Sequence, residues 1–237
     1  MKFSLARPVL ALATMATLAS CGGGGKATFP INVTVSGLQP TYEGLVLSTN
    51  GQDLVVHPPA TAGQDVVLTF PNPLEYGQTY EVTPKGATIS SSHTYSGGAQ
   101  PVHQNCGPVT FPAYGTAGQL AKIDIRYACS INAYPLTGVV HGLTGTGLTL
   151  SSGSNSGFVG VNPALDANQA PTGADVTLTM NPITFGQNYG VGVVTQPTGQ
   201  TCTVTGGANG NGSGTMDQNA ETAGGVNNIV VTCVKSS

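Results

Sequence analysis

The chain of 237 residues contains little charge of either sign and no tryptophan. Only 7% of the residues are charged, so charge repulsion does not keep this chain unfolded. The 7 Lys and Arg residues are outnumbered by 10 Asp and Glu residues, which gives a formal net charge of −3. Because a phosphate backbone is bound by clustered cations, we predict that the chain does not bind nucleic acid.

Sustained helical periodicity is also lacking. After residue 20, no segment repeats apolar residues every 3.6 positions between capping residues. Instead, 34 Gly and 16 Pro residues, with clusters of Asn, separate short segments rich in Val and Thr. In one such segment Ile123, Ile125 and Tyr127 alternate with charged residues, as in a strand with one buried face. These patterns predict an all-β fold of short strands joined by turns.

The N-terminal segment has the layout of a secretory signal. Lys2 and Arg7 precede an apolar stretch over residues 8–18, and the small residues Ala19 and Ser20 follow it. As a helix this stretch would rise only about 16 Å, roughly half of the hydrocarbon core of a bilayer. We therefore expect residues 1–20 to be a cleaved signal peptide rather than a membrane span.

The four residues Leu18-Ala19-Ser20-Cys21 resemble the bacterial lipobox. This resemblance implies a covalent diacylglycerol and an N-terminal acyl group on Cys21, with no other cofactor. Several acyl chains give lasting membrane attachment, which a single chain does not. By the same resemblance, Gly22 in place of Asp implies sorting to the outer membrane. The alternative is an ordinary secreted protein in which Cys21 is a free thiol.

The remaining chain repeats one pattern twice. In both halves an Asn-Pro pair precedes a Gly-Gln-x-Tyr run, ending at Tyr80 in the first half and at Tyr189 in the second. Self-similarity at this spacing indicates tandem domains. We predict a flexible lipidated tether over residues 21–30, which contains four consecutive glycines, followed by domains over residues 31–130 and 134–235.

Each repeat has the strand content of a sandwich. About seven short strands in about 100 residues is typical of an immunoglobulin-like antiparallel β-sandwich. The tryptophan of antibody domains is missing, and both cysteines of each half lie in its last third. We therefore predict two tandem Ig-like sandwiches that differ from antibody domains, with a closed barrel as the alternative.

Four cysteines remain when Cys21 is set aside, and they allow three pairings. In an exported protein they are expected to form disulfides. The repeat pattern favours Cys106–Cys129 and Cys202–Cys233, so that each domain contains one bridge. Cys129 shares its parity with Ile123 and Ile125, which predicts that it points into the core.

The second half resembles the Ig-like repeats of proteobacterial surface lipoproteins. The resemblance lies in the run Gln196–Val204, in the glycine-rich opening Gly142–Leu148 and in the closing Val230–Cys233. In the first half, Pro84-Lys85-Gly86 takes the place of the Gln-Pro-x-Gly-Gln run, and residues 86–105 are expected to form a polar loop. The resemblance implies an architecture at the cell envelope and supplies no catalytic residue.

Motifs for catalysis are incomplete in this sequence. The run Gly153–Gly157 has the glycine spacing of a nucleophile elbow, but Asn155 occupies the position of the nucleophile. We interpret the run as a hairpin turn and predict no catalytic residue.

Metal-binding patterns are incomplete as well. Asp217, Asn219 and Glu221 have the spacing of calcium ligands, but the glycine and the final acid of a calcium loop are missing. His93 and His103 lie near Cys106, which is better explained by a disulfide, so we expect both histidines to be solvated in loops. We predict no metal site.

These observations favour an outer-membrane lipoprotein that is not an enzyme and that acts as a surface display, spacer or adhesion module. Its expected partners are the membrane, through the anchor, and an envelope or extracellular protein or a glycan. Residues 86–105 and 206–225 are the predicted contacts, because long loops often carry binding sites. The alternative is a carbohydrate-binding or hydrolase-accessory module, which the 8 Tyr allow. An enzyme would require a His and an acid in one cleft.

Overall fold

The computed structural model describes residues 27–109, 113–153 and 157–236. Residues 1–20, Cys21, most of the predicted tether and Asn155 lie outside the described residues. Within them the chain is almost entirely β, which confirms the predicted fold class.

The first half contains thirteen strands among its described residues. They are β1 (Thr28–Phe29), β2 (Ile31–Ser36), β3 (Val46–Thr49), β4 (Gln52–Val55), β5 (Val66–Thr69), β6 (Leu74–Glu75), β7 (Thr79–Glu81), β8 (Thr83–Pro84), β9 (Thr88–Ile89), β10 (Tyr95–Ser96), β11 (Gln104–Pro108), β12 (Tyr114–Thr116) and β13 (Ile123–Ile131).

The second half contains nine strands and one short helix among its described residues. They are β14 (Ala133–His141), β15 (Leu148–Ser151), β16 (Phe158–Val161), β17 (Val176–Thr184), β18 (Asn188–Gly190), β19 (Gly192–Thr195), β20 (Gln200–Thr205), β21 (Ser213–Thr215), α1 (Gln218–Thr222) and β22 (Val226–Lys235).

Both halves build the same sheets. The first half has a four-stranded sheet in the order β11-β13-β2-β5, and the second has the equivalent order β20-β22-β14-β17. A three-stranded sheet accompanies each of them, β4-β3-β8 in the first half and β16-β15-β19 in the second. A two-stranded ribbon completes the match, β12-β7 and β18-β21. The internal repeat in the sequence is thus a repeat of topology.

One strand pair in each domain is parallel, which differs from the purely antiparallel sandwich that we expected. The first and last strands of each domain lie side by side, β2 with β13 and β14 with β22, and they run in the same direction. All other paired strands are antiparallel. The parallel pair places the entry and exit of each domain at opposite ends of the same sheet.

Each domain has a hydrophobic core of its own. In β2 the buried residues Ile31, Val33 and Val35 alternate with half-buried ones, and they pack in one cluster with Leu47 and Tyr80 from the other sheets. The second cluster combines the equivalent elements of its domain, including Leu150 and Tyr189. Alternating burial along strands such as β2 therefore places the apolar residues in the interior of each sandwich.

The two disulfides join neighbouring strands of one sheet rather than the two sheets. Cys106 of β11 is paired directly with Cys129 of β13, and Cys202 of β20 with Cys233 of β22. The predicted pairing is therefore confirmed. Cys106, Cys202 and Cys233 are buried, while Cys129 is only partly buried.

One glutamine in each domain connects the bridge region to the loop that follows the first strand of the four-stranded sheet. Gln104 and Gln200 are buried, and their side-chain amides donate to the carbonyl oxygens of Gly37 and Gly142. Their Oε1 atoms accept from backbone nitrogens of the same loops. Gly37 is required there, because it has a φ of +74° and a Cβ would lie 2.5 Å from the carbonyl oxygen of Cys129.

A second glutamine, six residues before the first cysteine of each bridge, pairs with the backbone of that cysteine. Gln100 accepts from the nitrogen of Cys106 and donates to its carbonyl oxygen, and Gln196 does the same with Cys202. The run Gln100–Cys106 is therefore the first-domain equivalent of Gln196–Cys202. The expectation that Pro84-Lys85-Gly86 replaces this run is wrong.

The loop expectation for residues 86–105 is also wrong in part. The segment contains the β9-β10 hairpin and the beginning of β11. The hairpin is an insertion relative to the second domain, and it moves the glutamine run away from β8. Residues 206–225, the other predicted loop, contain β21 and α1.

We predict that each disulfide stabilises its own domain only. Replacing Cys106 and Cys129 with Ala should lower the free energy of unfolding of the first domain by about 3–4 kcal/mol, because the bridge closes a loop of intermediate length. Scanning calorimetry should show one transition shifted to lower temperature. The matched variant lacking Cys202 and Cys233 should shift the other transition, and a single shift common to both variants would contradict this prediction.

Candidate functional site

An open cleft lies over the two-stranded ribbon of the first domain. In β7 and β12 the residues alternate, so that Tyr80 points into the core while Glu81 and Tyr114 form a cross-strand pair. Thr79 and Thr116 form the next pair on that face. Because residues two apart share a face of a strand, these four side chains line the floor of the cleft.

The inserted β9-β10 hairpin brings His93 to this floor. The tip of the hairpin is held by hydrogen bonds from the nitrogen of Ser90 to the carbonyl oxygen of Thr94 and from the nitrogen of His93 to the carbonyl oxygen of Ser90. The hydroxyl groups of Ser90 and Thr94 are 2.6 Å apart. His93 has a φ of +57°, a left-handed conformation that is uncommon for residues other than glycine.

His93 contacts both members of the Glu81–Tyr114 pair. Its Nδ1 lies 3.0 Å from Oε1 of Glu81, and its ring stacks on Tyr114 with centroids 3.7 Å apart at an angle of 16°. A His and an acid thus converge in one cleft, as the enzyme hypothesis required. Among the described residues, however, no Ser or Thr hydroxyl is hydrogen-bonded to His93, so these contacts do not assemble a nucleophile triad.

The other end of the cleft is polar and uncharged. Asn50 lies in the tight turn between β3 and β4, and its side-chain amide donates to the carbonyl oxygen of Thr79 at 2.8 Å. Gln119 also lines this end. The cleft has a volume of about 570 Å³, and none of the described residues that line it is Lys or Arg. We call it the His93 cleft, defined by Asn50, Glu81, His93, Tyr114 and Gln119.

The second domain builds the same ribbon without these groups. In its register, Gly190 faces Ser213 where the first domain has Glu81 facing Tyr114. Asn188 and Thr215 correspond to Thr79 and Thr116. No aromatic side chain lies at these described positions of the second ribbon. A smaller cleft lies beside that ribbon and is lined by Tyr189 and Thr215 among others, so the first domain differs in the aromatic wall of its cleft rather than in having a cleft.

A second cluster of aromatic and ionisable side chains lies at the junction between the two domains. β13 ends at Ile131 and β14 begins at Ala133, so only Asn132 lies between the last strand of one domain and the first strand of the next. The nitrogen of Asn132 donates to the carbonyl oxygen of His103, and the nitrogen of Phe185 donates to the carbonyl oxygen of Asn132, both at 2.8 Å. The connecting residue is therefore bonded to both domains.

Aromatic side chains pack around this connection. The ring of His103 lies flat on Phe185 of the second domain, with centroids 3.7 Å apart at an angle of 7°. The ring of Tyr42, in the first domain, packs edge-to-face with the ring of His103, and the two ring centroids are 5.2 Å apart. The stack therefore joins a loop of the first domain to the turn after β17.

A carboxylate from the second domain completes the junction. Nδ1 of His103 lies 2.6 Å from Oε2 of Glu221, and the hydroxyl of Tyr134 donates to Oε1 of the same carboxylate. The side chains of His103 and Glu221 are only 17% and 16% exposed. Hydrogen bonds to a partly buried carboxylate are stronger than those between neutral groups in water.

Burial and hydrogen bonding act on the pKa of Glu221 in opposite directions. Burial alone would raise the pKa of Glu221, but hydrogen bonds from Tyr134 and His103 and the nearby imidazole lower it below its ordinary value of 4.5. The pKa of Tyr134 is raised, first by burial and then by its bond to the carboxylate. The arrangement therefore favours an ionised Glu221 beside a neutral Tyr134.

His103 occupies a position that the repeat gives to glycine. In the matching run of the second domain this position is Gly199, with a φ of +70°, and His103 has a φ of +58°. A left-handed conformation costs a residue other than glycine about 1–2 kcal/mol. The side-chain contacts of His103 across the junction offset this cost. Our expectation that His103 is a solvated loop residue is therefore wrong.

The residues whose spacing resembles that of metal ligands make other contacts in the structure. Asp217 is the N-cap of α1 and accepts from the nitrogens of Asn219 and Ala220. Glu221 is used at the junction, and His141 pairs with Asp175. Within residues 27–109, 113–153 and 157–236, no three His, Cys, Asp or Glu residues cluster at metal-binding distance.

We predict that His103→Gly uncouples the domains without unfolding either one. Glycine suits the left-handed backbone, while the stack on Phe185 and the bond to Glu221 are lost, at a cost of about 1–3 kcal/mol of interdomain coupling. Small-angle X-ray scattering should show a broader distribution of distances within the molecule. The matched variant Gly199→His, at the equivalent turn, should leave the scattering curve unchanged, and an unchanged curve for His103→Gly would contradict the prediction.

The junction should also respond to acid. Because the pKa of Glu221 is lowered in the folded protein, its contribution is complete above the ordinary value of 4.5 and is lost as pH falls below it. Scattering measured between pH 7 and pH 3 should therefore show loss of interdomain order on the acid side. Glu221→Gln should remove this pH dependence, and identical pH profiles for the two proteins would contradict this assignment.

None of the described helical residues forms a helix long and apolar enough to cross a bilayer. Comparison of the chain with protein-family models, with curated proteins and with solved structures finds no match.

Proposed function

We propose that this chain is a lipid-anchored envelope protein without catalytic activity, in which two coupled sandwich domains form a spacer that presents a binding surface. The observation that carries this proposal is the junction. A single connecting residue, a stacked His103–Phe185 pair and a shared carboxylate at Glu221 couple the two domains. A chain that only needed two independent modules would be served by a flexible linker.

The anchor rests on the sequence of the N-terminal segment. Leu18-Ala19-Ser20-Cys21 supplies the lipobox pattern, and the glycine-rich residues that follow have no side chains to pack against the first domain. The connection between the domains, in contrast, is packed. We propose the outer membrane as the location, on the basis of Gly22.

The two disulfides and the low charge support a role outside the cytoplasm. Bridged cysteines persist in oxidising compartments, and each bridge here stabilises a small domain at the end of its last strand. With a net charge of −3, the chain has no electrostatic attraction to an anionic lipid surface. Attachment would therefore depend on the covalent lipid.

The anchor is tested by labelling. Cells that express the full chain with radiolabelled or alkyne palmitate should incorporate the label into the protein, which should fractionate with the outer membrane. Cys21→Ser should abolish the label and release the protein, while the matched variant Cys202→Ser with Cys233→Ser should retain it. Unlabelled wild-type protein in the medium would contradict the proposal.

A second candidate function is favoured by one observation. The His93 cleft combines a stacked pair of aromatic rings with planar polar side chains. This feature supports the alternative of a carbohydrate-binding module.

A further inference from the structure

We propose that the His93 cleft binds a neutral oligosaccharide. This inference deepens the second candidate function, on which it rests, and it does not depend on the spacer role or on the lipid anchor. It rests on the shape of the cleft, on the chemistry of its lining and on the difference between the two domains.

The lining matches a polyhydroxylated ring. Asn50, Glu81 and Gln119 line the cleft with planar amide or carboxylate groups, and each such group can make several hydrogen bonds. Asn50 and Glu81 therefore keep hydrogen-bonding capacity for ligand hydroxyl groups beside the bonds they make within the protein. The side chains of Thr79 and Thr116 add hydroxyl groups on the floor. The stacked rings of His93 and Tyr114 supply an aromatic wall for the C–H face of a sugar.

The charge of the lining selects against anionic ligands. Its single carboxylate, Glu81, is already paired with His93, and none of its described residues is Lys or Arg. A phosphate or an acidic glycan would meet a carboxylate without a compensating cation. An apolar ligand would cover amide and carboxylate groups without replacing their hydrogen bonds with water. A neutral polar ligand satisfies both conditions.

The cleft also has the size of a ligand site. Its volume of about 570 Å³ falls within the range of roughly 300–1,000 Å³ that is usual for small-molecule sites. Tyr114 is 37% exposed and the side chain of His93 is 43% exposed, so the aromatic wall is accessible from solvent.

The inserted hairpin has no counterpart in the second domain, which folds with the same sheets. The β9-β10 hairpin is therefore not needed for the sandwich, and its tip holds His93 in a left-handed conformation over Tyr114. Glu81 and Tyr114 likewise replace the Gly190 and Ser213 of the second domain. Three differences between the repeats thus converge on one cleft.

Binding is tested with the full chain in detergent. Cellohexaose, maltohexaose and chitohexaose are titrated by calorimetry, with a galacturonic acid hexamer as the acidic comparison. We expect at least one neutral hexamer to bind and the acidic one not to bind. Tyr114→Ala should weaken binding at least tenfold, since stacking on an aromatic ring contributes much of the affinity.

Two further variants make the result decisive. His93→Gly suits the left-handed backbone and removes the imidazole, so it should weaken binding at least tenfold in a chain that melts like the wild type. Asn188→Ala, on the equivalent face of the second domain, should leave the affinity unchanged. The proposal is overturned by the absence of neutral-sugar binding, by tighter binding of the acidic hexamer, or by an affinity that His93→Gly does not change.

Discussion

The relative arrangement of the two domains depends most on the contact between His103 and the second domain. His103 stacks on Phe185 and pairs with Glu221, and its carbonyl oxygen accepts from the one residue that connects the domains. Because the carboxylate is only 16% exposed, the contact is screened weakly by solvent. A hydrogen bond or ion pair on an exposed surface would contribute little, whereas the contact of His103 combines stacking, burial and backbone bonds. Two domains with separate hydrophobic cores are thereby held together.

The two domains show how one framework is used in two ways. The framework consists of strands whose buried residues alternate with more exposed ones, the glutamine that holds the loop after the first strand, and the disulfide between neighbouring strands. Both domains keep these parts. The first domain adds the hairpin that carries His93 and substitutes His103 for a glycine, while the second adds the helix that carries Glu221. His93, His103 and Glu221 therefore come from such changes, and their partners Glu81, Tyr114 and Phe185 lie on or beside strands that both domains share.

The fold could be predicted because its signals are local. The alternation of apolar and charged residues around Ile123 and Tyr127 predicts a strand, and the position of two cysteines in each repeat predicts a disulfide within that repeat. The run Gln100–Cys106 was missed because the hairpin displaces it from β8, although the six-residue spacing between glutamine and cysteine is identical in both halves.

The functional clusters could not be predicted in the same way. His103 and Glu221 are 118 residues apart, and no periodicity joins them, so only the packing of two domains brings them together. The cleft likewise depends on where the hairpin folds, since His93 and Glu81 belong to different elements. The glycine position that His103 occupies was the one available signal, and it becomes visible once the two glutamine runs are aligned.

The most direct test of this account is the rotational diffusion of the two domains in the intact protein at neutral pH. Backbone ¹⁵N relaxation of residues in β2 and β13 gives the correlation time of the first domain, and residues in β14 and β22 give that of the second. We expect the two domains to share one correlation time and one diffusion tensor, as a single rigid body does. Two shorter and different correlation times would show that the domains tumble independently and would contradict it.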